Sequence, residues 1–237
     1  MKSRKNILGI VIARSKSKSL KNKNIKKIQN IPLLALPGIL AKKSNLISKI
    51  AISTDSKIYG NIAKKFNIDF FFLRKKNLSG PKVPDQFVLR DALVRAEKYY
   101  NLKFDYVVSM PPTSPLRSRK DVEKAIKKTI KNKFDALWTI SKIDLKYHPY
   151  KQLKIKNKKL KYFSTKGKLI NYRQQLTTTY FRNGCAYVIK RNILLNKMKS
   201  LLTKNTGYEI LNSPQISIDN EDDLNLARKE FKFSNLD

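Results

Sequence analysis

Short apolar runs alternate with amphipathic stretches along the first part of the chain. The apolar runs predict buried strands at 7–13, 49–54, 69–73, 106–110 and 136–141. Apolar residues at helical spacing predict helices at 33–43, 54–66, 85–100 and 119–131. Thr54 and Asp55 are the expected caps of the second helix. Strands that alternate with helices indicate βαβ units, so we expect an α/β fold with a mostly parallel sheet and helices on both faces.

The pattern changes after residue 141. Residues 142–180 are polar with short alternating pieces, and we interpret them as a small β-rich excursion inserted into a single domain that spans residues 1–237. Apolar residues return at 186–189 and at 215–218, which predicts two further strands. An acidic run then precedes a last helix that is expected to end near Lys232.

Ligands of parallel α/β sheets bind beyond the carboxyl ends of the strands. This rule selects three segments, 14–24, 74–86 and 111–117. The first is rich in Arg, Lys, Ser and Asn, which are side chains suited to phosphate groups. It contains no glycine and is therefore neither a P-loop nor a dinucleotide-binding turn. On composition alone, a phosphate site and a solvated basic loop fit this segment equally well.

The formal net charge of +35 raises the alternative of a nucleic-acid-binding protein. Such a protein gathers its charge on one arm or helix and carries aromatic platforms. Here the 52 basic residues are mostly lysines spread along the whole chain, so we expect anionic small substrates and no specific nucleic acid. The single cysteine, Cys185, fits a reducing compartment, and no apolar run is long enough to cross a bilayer, so a cytoplasmic location is expected.

Several motifs occur in a fixed order along the chain. The segment 13–24 has the pattern A-R-x-x-S-K-x-x-x-x-K-N, and 112–117 reads P-T-S-P-L-R. Further matching segments are I-S-T-D at 52–55, F-L-R at 72–74, H-P-x-K at 148–151, R-Q at 173–174, N-G-x-x-Y at 183–187 and S-I-D at 217–219. Together these motifs resemble the acylneuraminate cytidylyltransferases, the CMP-sialic acid synthetases.

The resemblance implies a Rossmann-like fold of the nucleotide-diphospho-sugar transferase type, a homodimer and a Mg²⁺-dependent reaction. In that reaction the anomeric hydroxyl of a sialic-acid-type sugar attacks the α-phosphate of CTP, and pyrophosphate leaves. The inserted segment at 142–180 is then expected to serve dimerisation and substrate binding. The protein mainly positions groups and neutralises charge in such a transfer.

The resemblance also assigns roles to individual residues. The residues expected to bind the nucleotide are Arg14, Ser17, Lys18, Lys23, Asn24, Arg74, Thr113 and Ser114. Among these, Lys23, Lys18 and Arg14 are expected to be catalytic through charge stabilisation at the α-phosphate and leaving group. The residues expected to line the sugar site are Lys151, Arg173, Gln174, Asn183 and Tyr187. Asp219 is the expected Mg²⁺ ligand.

Four features depart from the family pattern. Ser19 replaces a common glycine, Pro111 replaces a common glutamine, the loop 79–85 lacks the usual S-D-T, and Ser217 replaces a second aspartate. These changes fit legionaminic, pseudaminic or another nonulosonic acid as well as N-acetylneuraminic acid, and Ser217 and Pro111 also raise a catalytically impaired homologue. A 3-deoxy-manno-octulosonate cytidylyltransferase is a further alternative, against which the R-Q and N-G-x-x-Y segments favour the sialic-type branch. The only histidine, His148, is either a structural turn residue or part of the substrate site.

Overall fold

The computed structural model describes residues 4–17, 19–196 and 200–236. In chain order, its strands are β1 (Ile7–Ile12), β2 (Lys27–Ile28), β3 (Ile31–Pro32), β4 (Lys49–Ser53), β5 (Tyr106–Ser109), β6 (Ala136–Lys142), β7 (Leu153–Lys156), β8 (Lys159–Tyr162), β9 (Tyr180–Lys190) and β10 (Thr206–Ile210). Its α-helices are α1 (Leu36–Lys43), α2 (Lys57–Lys64), α3 (Asp85–Tyr100), α4 (Arg119–Lys131), α5 (Arg191–Leu195) and α6 (Glu221–Glu230).

Six strands form the central sheet, in the order β10-β6-β9-β5-β1-β4. All of them run parallel except β9, which lies antiparallel between β5 and β6. The carboxyl ends of β1, β4 and β5 therefore meet at one edge of the sheet, where the rule for α/β folds places the ligand.

Both faces of the sheet are covered by helices, as predicted. Ile7 and Val11 of β1 belong to a core cluster with residues of α1, α2 and α4, whereas Leu8 and Ile10 belong to a cluster with residues of α3 and α5. Successive side chains of a strand point to opposite faces, so a continuous apolar run fits a strand that is buried on both sides. The predicted α/β architecture is confirmed.

A third apolar cluster joins the two ends of the chain. Leu224 and Ala227 of α6 pack with Leu20, Ile28 and Leu33, which follow β1. This packing brings the segment before α6 against the loop that leaves β1. Lys23 and Ile218, which are 195 positions apart in the sequence, are thereby placed side by side.

The structure corrects three of the predicted strands. Residues 69–73 touch β4 only at the bridge between Asp69 and Ala51, and aromatic stacking such as Phe71 on Tyr99 (ring centroids 4.1 Å apart) holds the rest. Residues 215–218 belong to no sheet of the described ranges. The predicted strand at 186–189 is the buried end of the longer β9, whose antiparallel direction is a finding of the structure.

Strand β10, the two-residue strands β2 and β3, the short helix α5 and one helix cap escaped the sequence pattern. Strand β10 has no apolar run in its sequence. Its inward positions are Gly207, which packs against the ring of Phe134, and the buried Glu209, which pairs with lysines of α4. Helix α2 is capped by Ser56, whose hydroxyl accepts the Tyr59 amide, and not by Thr54 or Asp55.

The excursion at 142–180 contains one hairpin, β7–β8, between short 3-10 turns. All residues of both hairpin strands are exposed in the single chain, including Leu153, Ile155 and Leu160. Across the ranges that the structure describes, no helix has the length and apolar character needed to cross a membrane.

Candidate active site

A cleft of about 290 Å³ lies beyond the carboxyl ends of β1 and β5. We call it the β1–β5 cleft. Its polar lining comes from the loop after β1, from Arg74 and Asp85, and from Thr113. Its apolar lining consists of Ile12, Leu78, Pro81, Val83, Val88, Pro111 and Pro112. One part of the cleft is thus cationic and suited to phosphate, and the other is apolar and suited to a flat base.

The loop after β1 supplies the cationic part. Arg14, Ser17, Lys23 and Asn24 all line the cleft, and Lys18 lies outside the described residues. Asn24 is buried and donates a hydrogen bond to the carbonyl oxygen of Arg14 (2.9 Å), which ties the two ends of the loop together. The loop is therefore held in place although it has no glycine.

Asp55, which follows β4, anchors the same loop from the other side. Its carboxylate accepts hydrogen bonds from the amide (2.7 Å) and the hydroxyl (3.1 Å) of Ser15. Hydrogen bonds to an ionised acceptor are stronger than neutral ones. The residue predicted as a helix cap instead anchors the loop after β1 at Ser15.

Lys23 links the loop to the segment before α6. Its ammonium group donates to the carbonyl oxygen of Ile218 (2.8 Å) and pairs with the Asp219 carboxylate (2.9 Å). The lysine side chain is 13% exposed and the aspartate side chain 72%. The amide of Ile218 donates to the carbonyl oxygen of Thr113 (2.9 Å), so the segment is also fixed to the turn after β5.

Arg74 forms the buried wall of the cleft. Its guanidinium donates to the Ser53 carbonyl oxygen and the Ser79 hydroxyl, each at 3.3 Å. Burial lowers the pKa of Arg74, while the nearby carboxylates of Asp55 and Asp85 raise it. The side chain remains a cation that is positioned mainly by backbone and hydroxyl oxygens.

The P-T-S-P-L-R turn after β5 is fastened to β9. The fully buried Arg117 donates to the carbonyl oxygens of Pro111 and Gly184 (3.2 Å to the latter). Burial lowers the pKa of Arg117 to about 10. The hydroxyl of Ser114 donates to the Asn183 carbonyl oxygen (3.2 Å), so Ser114 is a scaffold residue and only Thr113 of this pair lines the cleft.

The side chain of Asn183 is buried and fully engaged with protein. Its oxygen accepts from the Thr139 hydroxyl (2.7 Å) and the Cys185 amide (3.1 Å), and its nitrogen donates to the Ser141 hydroxyl (3.0 Å). Gly184 follows with φ = 71°, where the strand register shifts. These bonds stabilise an irregularity in β9 and direct the Asn183 side chain away from the cleft.

A second cavity, of about 320 Å³, lies between the start of α3 and β9, and we call it the α3–β9 cavity. It adjoins the first at Asp85, which lines both. Its other polar and aromatic groups include Trp138, Arg182 and Tyr187. Trp138 and Tyr187 pack edge to face (5.7 Å), and Arg182 lies over the Trp138 ring (5.3 Å).

The remaining predicted sugar residues lie elsewhere. Lys151, Arg173 and Gln174 are exposed on the excursion and line neither cavity of this chain. His148 is buried, and its ring nitrogen Nδ1 accepts the amide of Tyr150 (3.1 Å), which caps a short turn. Of the two alternatives for His148, this contact corresponds to the structural turn residue.

The donors for a divalent cation are few. Among the described residues, no three His, Cys, Asp or Glu side chains are grouped so as to hold a metal ion. Asp219 offers an exposed carboxylate at the rim of the cleft, whereas the Asp223 carboxylate is used by the amides of residues 219 and 220. This set fits a cation such as Mg²⁺ that takes one carboxylate and otherwise binds phosphate oxygens and water.

Sequence reasoning missed four residues of the two cavities and their supports: Asp55, Asp85, Trp138 and Arg182. Asp85 directly follows a proline-rich loop in one of the segments that the strand-end rule selects, which was a usable signal. The other three depend on which strands are neighbours, and a single sequence does not reveal this.

The sheet order, the phosphate-suited loop and the adjoining cavity are features expected of an α/β nucleotidyltransferase. A sequence model of the cytidylyltransferase family matches residues 8–230, and the chain belongs to this family. It is 35% identical over 231 residues to the post-translational flagellin modification protein B of Campylobacter coli, with 97% of each chain covered. It is 33% identical over 234 residues to the CMP-N,N'-diacetyllegionaminic acid synthase of Campylobacter jejuni, also with 97% of each chain covered.

Solved structures support the same fold. A CMP-2-keto-3-deoxy-manno-octonic acid synthetase, determined with CTP, superposes with a TM-score of 0.69 over 94% of this chain and 97% of the other, at 13% identity. The Rossmann-like nucleotidyltransferase fold expected from the sequence is thus confirmed.

Proposed function

We propose that this chain transfers CMP from CTP to the anomeric hydroxyl of a nonulosonic acid. The sugar oxygen forms a bond to the α-phosphorus, the bond from that phosphorus to the bridging oxygen breaks, and pyrophosphate leaves while the hydroxyl proton is released. The observation that carries the proposal is the pair of adjoining cavities, one suited to a nucleoside triphosphate and one to a polar sugar. Legionaminic-type acids are the first candidates, because the relative named for that product matches over 97% of both chains.

Charge at the α-phosphate and at the leaving pyrophosphate is neutralised by Arg14 and Lys23 in this proposal. Both line the cleft on the loop that Asp55 holds at Ser15 and Asn24 holds at the carbonyl oxygen of Arg14. Groups that are fixed before the reaction stabilise developing charge without the cost of reorganisation. Lys18 is assigned the same role on the resemblance alone.

Mg²⁺ is the proposed cofactor, and Asp219 is its proposed protein ligand. The cation would neutralise phosphate charge and help to orient the triphosphate. The Asp219 carboxylate pairs with Lys23, so the proposed cation ligand lies beside a residue proposed to neutralise phosphate charge.

The proposed assembly is a homodimer, formed in part by the excursion. The β7–β8 hairpin exposes Leu153, Ile155 and Leu160, and a partner subunit would cover these apolar side chains. Lys151, Arg173 and Gln174 lie on the same excursion. In a dimer these three residues would contribute to the sugar site of the partner subunit, since they line neither cavity of their own chain.

The test is release of pyrophosphate from CTP and Mg²⁺ with N,N'-diacetyllegionaminic, pseudaminic, N-acetylneuraminic and 3-deoxy-manno-octulosonic acids. ATP, GTP and UTP serve as nucleotide controls. Turnover with CTP and one of the nine-carbon acids supports the proposal. CTP binding without turnover on any of them favours the impaired homologue, an alternative raised by Pro111 and Ser217, and turnover with the eight-carbon acid alone assigns a different substrate class.

A further inference from the structure

Among the described residues that line the α3–β9 cavity, Arg182 is the one cationic side chain, and it packs on an aromatic ring. Its guanidinium lies over the ring of Trp138 at 5.3 Å from the centroid, and Trp138 is itself held edge to face by Tyr187. Stacking on an aromatic face fixes the plane of a guanidinium and leaves its N–H groups free at the edge. Trp138 therefore supports the exposed Arg182 side chain at the lining of the cavity, where its N–H groups can meet a ligand.

No carboxylate within the described ranges uses these donors. In that part of the chain, Arg182 makes neither an ion pair within 4.0 Å nor a side-chain hydrogen bond, in contrast to Arg95, which also lies over a ring (Phe72, 5.2 Å) but pairs with Asp91 at 2.9 Å. A guanidinium matches a carboxylate with two parallel hydrogen bonds. The free fork of Arg182 fits a carboxylate brought by the substrate.

Asp85 faces the same cavity from the start of α3 and lines the β1–β5 cleft as well. Removal from water is the main effect on this carboxyl group and raises the pKa of Asp85, while the positive charges of Arg74, Arg182 and Arg14 oppose the rise. The carboxyl oxygens accept hydrogen bonds from hydroxyl or amide N–H groups, and in its ionised form the group also repels a substrate carboxylate. The two side chains therefore distinguish the acid end of a sugar acid from its hydroxyl end.

We propose that Arg182, held by Trp138, binds the carboxylate of the sugar acid and that Asp85 accepts a hydrogen bond from the same sugar, so that the pair fixes its orientation beside the nucleotide. This inference rests on the proposed cytidylyl transfer to a sugar acid. It assigns recognition of the carboxylate to the α3–β9 cavity of the same chain, whereas Lys151 and Arg173 lie on the excursion and line neither cavity.

The test compares Arg182→Ala with Arg95→Ala, a control that also removes an arginine stacked on a ring but lies outside both cavities. Arg182→Ala is expected to raise KM for the sugar acid by about tenfold or more, which is the value of a hydrogen-bonded charge pair, with little change in KM for CTP. Arg95→Ala should leave both KM values near those of the wild type. Thermal unfolding of each variant checks that the fold is retained.

A second readout separates binding of the carboxylate from a structural role. The wild type should prefer the sugar acid to its carboxamide, and Arg182→Ala should lose most of this preference. Arg182→Lys should restore part of it, since lysine keeps the charge but loses the planar fork. An unchanged sugar KM, or an unchanged preference for the acid in Arg182→Ala, overturns the inference while the proposed function stands. If the wild type binds CTP but uses no sugar acid, the proposed function and this inference both fail.

Discussion

Gly184 is a position in the site scaffold where one added carbon atom meets both an unfavourable backbone conformation and a close neighbour. It has φ = 71°, a conformation that costs an alanine about 1–2 kcal/mol. A Cβ atom placed there would also lie 2.5 Å from the Ser114 hydroxyl oxygen. Overpacking of this kind costs about 1–3 kcal/mol. We therefore expect Gly184→Ala to lower the free energy of unfolding by about 2–5 kcal/mol.

The contact with Ser114 makes this prediction testable in two backgrounds. Ser114→Ala removes the crowding oxygen and loses one hydrogen bond to Asn183, worth about 1 kcal/mol. In that background Gly184→Ala should cost only its backbone term, about 1–2 kcal/mol. Urea unfolding of the four proteins gives the coupling between the sites, expected to be about 1–3 kcal/mol.

The control is Gly80→Ala, where the new Cβ meets nothing closer than 3.5 Å and the backbone has no positive φ. It should change the free energy of unfolding by less than about 0.5 kcal/mol. If Gly184→Ala costs the same in the wild-type background and in the Ser114→Ala background, the crowding argument is wrong. If it costs nothing in either background, the left-handed conformation itself is refuted.

Three further predictions concern charged groups. Lys23→Ala should reduce kcat for pyrophosphate release at least about a hundredfold, because it removes a charge held beside the phosphates. Lys21→Ala, which removes an exposed lysine two positions away, should leave kcat near that of the wild type. Similar rates for the two variants would remove Lys23 from the catalytic groups. Asp219→Asn should raise the Mg²⁺ concentration needed for half-maximal rate, and an unchanged requirement would place the cation elsewhere. The hydrogen bond from Arg191 lowers the pKa of the Glu97 carboxyl below its ordinary 4.5, so this pair stabilises the fold above that pH and loses its effect as the pH falls through the lowered pKa. The stability gap between wild type and Glu97→Gln, measured by urea unfolding, should shrink in acid, and a gap that stays constant with pH would contradict the linkage.

Sequence patterns predicted the helices better than the outer strands. The helices at 85–100 and 119–131 begin and end as predicted, because local signals mark their ends: Ser118 caps α4, and Asn101 ends α3 in a left-handed conformation. Strand β10 carried no such signal. Its burial depends on Phe134 and on the lysines of α4, which are distant in sequence.

The candidate site divides in the same way. Arg14, Lys23 and Asn24 were predicted from the resemblance of their loop, directly after the first strand, to the nucleotide loop of the family; composition alone left a solvated basic loop equally open. Their supports were not, since the hydrogen bonds from Ser15 to Asp55 depend on β4 lying next to β1. Asn183 and Ser114 show the converse: residues of a recognisable motif hold the strands together and do not line the cleft.

Pro111 lines the β1–β5 cleft at a position where the family commonly has a glutamine. Proline offers no side-chain donor or acceptor, and its carbonyl oxygen already accepts from Arg117, so this position gives the cleft only an apolar ring. In the proposed reaction the polar sugar would therefore bind to neighbouring elements. Asp85 from α3 and Arg182 from β9 are the charged groups that line the α3–β9 cavity within the described ranges, and neither lies in the motifs on which the resemblance rests. Specificity for the sugar is therefore expected to follow these two positions more closely than it follows the P-T-S-P-L-R turn.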